Sequence, residues 1–286
     1  MKHAYLIIAH TDFKLLENLL AVLDYENNDI FVHLDKKVSY EIKYKAQYSH
    51  IRCVPDDKRI NVVWGTDSQI HCELALYKYV TECGHYDYYH LLSGIDMPIK
   101  TQKYIHDFFE KNKGKEFIGL MPNAWRTETK LMYYHFFISR PSPKTWKHYF
   151  HVGLVAIQKL LHIKRSDMGW KVLAKGANWS SLTHDAVMHI LLQENMIRKR
   201  FKHTMACDEV YKQTILMNSP FAEKLYCKTD EYEGCMRLVD WKRGNPYVWT
   251  LKDWDEIMNS DKLFARKFSL AHIDLVEKLT KYLKEE

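Results

Sequence analysis

The first 120 residues alternate between short apolar runs and longer amphipathic segments, which restricts the chain to a mostly parallel sheet covered by helices on both faces. Ala4 to Ala9 is apolar without a break, the pattern of a strand buried on both sides. Thr11 or Asp12 then caps a helix whose Leu15, Leu16, Leu19, Leu20, Val22 and Leu23 share one broad face. Asp29 to Leu34 predicts a second strand, ending at Asp35-Lys36-Lys37. Asn61 to Trp64 predicts a short strand broken by Gly65, and Thr66 with Gln69 forms a capping-box pattern for a helix to about Val80. Tyr86 to Leu92 predicts another strand, running into Ser93-Gly94-Ile95-Asp96-Met97-Pro98; Thr101 starts a helix, and Glu116 to Leu120 returns to strand. In such sheets ligands sit at the carboxyl ends of the strands, so His10, Asp35, Trp64 and Asp96 mark an expected nucleotide pocket.

The second half is less regular. Residues 121–150 read as an aromatic, basic loop region with short elements. Val152 to Ile163 is an apolar stretch flanked by Lys144, Trp146, Lys147, Lys164, Arg165 and Trp170. It is too short to span a bilayer, and reads equally as a membrane-surface helix with basic and Trp anchors or as an ordinary helix packed on the core. Gly176 to Leu182 predicts a strand, Thr183 caps a helix to about Glu194, and another helix follows Cys207-Asp208-Glu209. Trp254 to Lys284 reads as helical with a break near Phe264.

Composition narrows the function. At 286 residues and 47% hydrophobic the chain has no need of disulfide or metal staples, and disordered, collagen-like and coiled-coil classes are excluded. The formal charge of +6 is spread among interleaved acids rather than gathered into a nucleic-acid-binding stripe; it suits an anionic small molecule or an anionic membrane. Six cysteines without a CxxC, no signal-peptide h-region and no long apolar run predict reduced thiols in a cytoplasmic protein.

The common dinucleotide, P-loop, nucleophile-elbow and zinc-helix motifs are absent. His10, His33 and Asp35 form the one plausible metal cluster, against a plainer reading as buried or capping histidines. Asp253-Trp254-Asp255 is a D-x-D triplet, but at an expected helix start it reads as a cap and dipole partner rather than a metal site. A nucleotide diphosphate would then need fixed cations, for which Arg243 and Lys267 are candidates, each otherwise a solvated charge. Asp208-Glu209 stands equally as an acidic helix cap and as a placed general base.

Taken in order, Ala4 to His10, Phe31 to Lys37, Val62 to Gly65, Leu91 to Lys100, Asp208-Glu209 and Phe264 to Phe268 resemble the core-2/I-branching beta-1,6-N-acetylglucosaminyltransferases and the related peptide O-xylosyltransferases, glycosyltransferase family 14. The chain looks like a compact, bacterial-type version without anchor and stem. The resemblance implies one GT-A domain over 1–286, with 1–120 the nucleotide-binding half and 121–286 the acceptor and catalytic half. It implies inverting transfer, without a required metal or other cofactor, from a UDP-sugar, with GlcNAc the first expectation, to a glycan hydroxyl. Ile8, Ala9, His10, Asp35, Lys36, Lys37 and Asp96 are then donor-binding, and Trp64 stands beside the uracil. Glu209 is the catalytic carboxylate; Arg243, with Arg237 as its rival, and Lys267 bind the diphosphate. Trp125, Arg126 and Trp179 are acceptor candidates. A role in capsule or other surface polysaccharide synthesis, with a lipid-linked acceptor and membrane contact through 144–170, completes the expectation. A metal-dependent transferase using Asp35 or Asp96, and a sugar- or nucleotide-binding module without turnover, are the alternatives.

Overall fold

The structure is a computed structural model that describes residues 1–121, 127–136, 146–166 and 168–285, the Lys147 side chain excepted. Nine strands are described: β1 (His3–Ala9), β2 (Asn28–Leu34), β3 (His50–Cys53), β4 (Tyr88–Ser93), β5 (Met97–Pro98), β6 (Phe117–Ile118), β7 (Ser180–Thr183), β8 (Arg237–Val239) and β9 (Phe264–Arg266). The helices are α1 (Phe13–Leu23), α2 (Ser68–Cys83), α3 (Gln102–Lys111), α4 (Thr127–Met132), α5 (Trp146–Leu160), α6 (His184–Leu192), α7 (Glu194–Phe201), α8 (Tyr211–Met217), α9 (Glu231–Cys235), α10 (Trp254–Asn259) and α11 (Ile273–Glu285).

Six strands form the main sheet in the order β3-β2-β1-β4-β7-β6, and β5-β9-β8 form a small second sheet. Pairing is parallel from β3 through β4, while β7 runs antiparallel to both of its neighbours. Alternate residues of β1 feed opposite cores: Tyr5 and Ile7 pack with α1, α3 and α11, whereas Ala4 and Leu6 pack with α2, α6 and α8. A strand with no polar face is the direct result.

The β1, β2 and β4 predictions and the Thr101 and Thr183 caps match the structure: both threonine side chains accept a backbone N–H, from Tyr104 and Ala186. Other expectations need correction. Asn61 to Trp64 is loop, held by side chains instead of a ladder: Val62 N donates to Asp35 and Val63 N to Ser68 Oγ. The strand beside β2 is instead β3, a half-exposed edge. Thr66 and Gln69 do not form a capping box, because Gln69 Oε1 takes the Gly65 N–H and Thr66 Oγ1 donates to Val63 O. Asp12 precedes α1 in a left-handed conformation, without a side-chain cap. Phe264 is no helix break but the start of β9, which is buried between β5 and β8. Asp253 caps as expected, accepting from Thr250 N and Oγ1 at 2.8 Å each.

Candidate active site

The carboxyl ends of β2, β1 and β4 lie side by side, since Ile8 is in register with His33 on one flank and Ser93 on the other. The Ala9 carbonyl accepts Asp35 N at 2.9 Å, and the Ile8 carbonyl accepts Gly94 N at 3.0 Å. A Cβ at Gly94 would meet the Ala9 Cβ at 3.0 Å, so the close approach favours glycine. His10 and Lys36 stand exposed at the rim. Asp35 is buried; it accepts Lys37 N at 2.9 Å and Val62 N at 3.2 Å, and pairs with Lys37 Nζ at 3.4 Å. These bonds pin the 60–62 segment to the strand ends and set Trp64, 51% exposed, at their edge.

His33 accepts Ile60 N through Nε2 at 2.8 Å, and burial pulls its pKa down to about 4. Its ring is thereby kept neutral and braces the Ile60 segment. Among the described residues no group of three or more His, Cys, Asp or Glu is arranged so that it could hold a metal ion.

Across from this row lies the acidic pair, in a 3-10 turn over Cys207–Glu209. Ala206 enters the turn at φ 46°, a left-handed conformation that costs a residue with a Cβ about 1–2 kcal/mol. Its N–H donates to Gly65 O at 2.8 Å, tying the turn to the loop that carries Trp64. The two acids have opposite surroundings. Asp208 is buried and accepts Gln69 Nε2 at 2.8 Å; burial first, then the charges of Glu209 and Glu73, push its pKa up to about 7 against the pull of Lys212. Glu209 is 37% exposed, and its Oε2 receives Lys130 Nζ at 2.8 Å and Lys175 Nζ at 3.5 Å. Only Glu209 can therefore reach a molecule in solution.

Residues 175–179 connect this carboxylate to the cations at the far side. Gly176 N donates to Glu209 O at 2.9 Å, and a Cβ at Gly176 would sit 1.8 Å from Gly119 O, so only glycine passes here. Asn178 is locked by a fully buried ion pair: Lys212 Nζ meets Glu73 Oε2 at 2.7 Å and donates to Asn178 O and Oδ1 at 2.7 Å each. Trp179 stacks on the Arg266 guanidinium, 4.5 Å from ring centroid to carbon. Arg266 in turn donates to Ser93 Oγ and Asp96 Oδ1, both at 2.8 Å. Contacts thus run in a ring, from Trp64-Gly65 to Asp208-Glu209, along 175–179, to Arg266, and back through Asp96, Ser93 and Gly94 to Ile8.

The other cations sit beside this ring. Lys267 forms no ion pair or side-chain hydrogen bond among the described residues. Its backbone is bonded to Trp249 and Tyr247, the two rings on which Arg243 lies at 5.2 and 4.3 Å. Arg243 itself is held by three carboxylates: Asp240, Asp253 at 3.0 Å and Glu256 at 2.8 Å. Arg237, its rival, is a core residue stacked 4.1 Å from Phe264, with its pKa pulled down to about 10 by burial. Asp96, expected to face the donor, is 2% exposed and spent on Arg266 and on Ser93 N. Trp125 and Arg126 lie outside the described residues. Sequence reasoning missed Arg266, Lys130 and Lys175; only Arg266 carried a signal, as the neighbour of Lys267.

A family model described as Core-2/I-Branching enzyme matches residues 3–261. The chain is similar to Xylosyltransferase 2 of Rattus norvegicus, 24% identical over 302 residues covering 93% of this chain and 32% of that protein. It is also similar to Xylosyltransferase oxt of Drosophila melanogaster, 22% identical over 280 residues covering 88% of this chain and 30% of the relative. The chain spans about a third of the length of these relatives. The six-stranded, mostly parallel sheet flanked by helices is a GT-A-like glycosyltransferase fold. With the family model matched over nearly its whole length, the chain belongs to the Core-2/I-Branching enzyme family.

Proposed function

We propose that this chain is an inverting, metal-independent glycosyltransferase that moves a sugar from a UDP-sugar to an acceptor hydroxyl. The observation that carries the reading is Glu209: a partly exposed carboxylate, fixed by two lysines, on the ring of contacts that ends at Arg266 beside Lys267. Residues 1–120 hold the nucleotide, with Ile8–His10 and Asp35–Lys37 around the uridine and Trp64 against the base; 121–286 supply the catalytic and acceptor half. Glu209 takes the proton of the acceptor hydroxyl while that oxygen forms a bond to the anomeric carbon from the face opposite UDP. The bond from that carbon to the diphosphate breaks, and its electron pair leaves on the phosphate oxygen. Lys267 and Arg243 stabilise the charge that grows there, an effect felt only as the bond breaks. Lys130 and Lys175 hold the Glu209 carboxylate in place.

The donor sugar is GlcNAc on the family resemblance; the relatives named xylosyltransferases make UDP-xylose the second donor to try. A lipid-linked glycan intermediate of a surface polysaccharide is the proposed acceptor. A metal-dependent reading through Asp35 or Asp96 is disfavoured, because both carboxylates are already occupied by donors of the protein itself.

The test is UDP release from UDP-GlcNAc and UDP-xylose with a soluble glycan acceptor, in excess EDTA. Turnover is expected with one of them, and Glu209→Gln is expected to lower kcat by about 10²–10⁴-fold while leaving UDP-sugar binding intact. A variant with wild-type kcat would remove Glu209 from the mechanism. Activity lost in EDTA and restored by Mn²⁺ would overturn the metal-independent reading.

A further inference from the structure

Helix α5 is amphipathic in the opposite sense to a helix packed on a core. Trp146, Tyr149, Phe150, Ile157 and Leu160 fall on one helical stripe and are 71, 66, 48, 51 and 78% exposed. Among the described residues, neither hydrophobic core includes a residue of α5. The opposite side is what is tied down. Gln158 bonds both Tyr134 N, at 2.8 Å, and Tyr134 O, at 2.9 Å, and His151 Nδ1 lies 3.0 Å from Phe136 O. Past the helix, Arg165 is buried and donates to Thr204 Oγ1 at 2.7 Å. The apolar stripe is therefore held outward by specific bonds.

Charge identifies what it meets. From Thr129 through Ser166 the chain has no Asp or Glu, while Lys130, Arg140, Lys144, Lys147, Lys159, Lys164 and Arg165 all fall there; all 36 acids lie elsewhere. No helix is long and apolar enough to cross a membrane among the described residues. Lys130 is paired with Glu209, Lys164 with Glu128, and Arg165 is buried, which leaves Arg140, Lys144, Lys147 and Lys159 as the cations of this stretch; an apolar stripe rich in aromatics beside them fits a bilayer surface bearing anionic headgroups. Pairing with a second copy would set two basic segments against each other.

We infer that α5 docks this chain on an anionic lipid surface, with Trp146, Tyr149, Phe150, Ile157 and Leu160 entering the headgroup boundary. The inference rests on the proposed lipid-linked acceptor and gives it a geometry. Lys130, which holds Glu209, lies on α4, four residues before the Tyr134 that Gln158 fastens to α5. Docking the helix therefore sets the catalytic carboxylate at the surface where such an acceptor ends.

The experiment is flotation of the chain with vesicles of phosphatidylcholine alone or of phosphatidylcholine and phosphatidylglycerol in equal parts. Binding is expected only to the anionic vesicles, with a blue shift of tryptophan fluorescence, and is expected to fall at least tenfold in the double variant Ile157→Glu, Leu160→Glu. Both positions are exposed, so the variant should keep the melting temperature and the UDP release measured with a soluble acceptor. That second readout separates the two ideas: transfer without vesicle binding overturns the docking, and vesicle binding without transfer overturns the enzyme. Equal binding of the variant, or a wild-type dimer that the variant dissolves, would assign the stripe away from lipid.

Discussion

Replacing Lys212 by methionine should cost more stability than any other single change near the site. Lys212 and Glu73 are both 0% exposed, with Nζ and Oε2 2.7 Å apart. The pair is fully satisfied: Lys212 gives its remaining protons to Asn178 O and Oδ1, and Glu73 also accepts Tyr211 OH at 2.5 Å and Asn178 Nδ2 at 2.6 Å. Removing one partner of such a pair leaves a buried charge uncompensated and costs about 3–5 kcal/mol. At roughly 2 °C per kcal/mol for a chain of this length, the melting temperature should fall by about 6–10 °C. The double variant Glu73→Gln, Lys212→Met removes both charges and should regain much of the loss, since groups in one network are not additive. Urea unfolding of the two single variants, the double variant and the parent measures the coupling. Transfer should suffer as well, because Asn178 lies between Lys175, at the carboxylate, and Trp179, under Arg266. A single-variant loss below about 1 kcal/mol, or a double variant no better than the sum of the singles, would refute the reasoning.

The two proposed diphosphate cations should separate by stability. Arg243→Ala should lower the melting temperature and raise the KM for donor, because Arg243 also holds Asp240, Asp253 and Glu256 together, whereas Lys267→Ala should raise KM with little thermal change. An unchanged donor KM for Lys267→Ala would count against the proposed site. The pH dependence has a definite sign. Asp208 keeps its proton up to about pH 7 when folded, chiefly through burial, but only to about pH 4 when unfolded, so between these values the folded state binds more protons. The stability that Asp208 contributes is therefore complete below that window and is lost as pH rises through it; Glu116, also raised to about 7 by burial, acts in the same direction. Denaturant unfolding of Asp208→Asn across the window should show a shallower decline than the parent, and a parallel curve would contradict the assignment.

The parts of the fold that were legible in the sequence are those whose pattern is local. β1 and β2 declare themselves because strands buried on both faces carry continuous apolar runs, here Ala4 to Ala9 and Ile30 to Val32, and the Thr101 and Thr183 caps because a side-chain oxygen three residues ahead of a free N–H needs no distant partner. β3 escaped because its pattern, His50-Ile51-Arg52-Cys53, belongs to a half-exposed edge with no apolar face. The apolar Val62-Val63-Trp64 reads as strand in its place, although the Val62 and Val63 N–H groups go to side chains. The Thr66 to Gln69 box does not form because Gln69 Oε1 accepts Gly65 N instead of Thr66 N, while its Nε2 is drawn to Asp208 and Thr66 Oγ1 donates to Val63 O.

The site follows the same rule. Strand-end acids and an acidic pair can be read off the chain, but which of them are free to act depends on partners far away in sequence. Asp96 looked available until β9, placed by pairing Ala265 with Met97 and Phe264 with Pro98, brought Arg266 onto it from 170 residues away. Arg266 and Lys267 are adjacent in a short basic motif and chemically alike in sequence. The register of a three-residue strand commits Arg266 to Asp96 and Trp179, while Lys267 makes no side-chain bond among the described residues. The same holds for Asp208 and Glu209: helix α2 takes up Asp208 through Gln69, and Glu209 stays at the surface. In each adjacent pair the tertiary fold turns one residue into a fastening, and that fastening holds the other where the proposed reaction needs it.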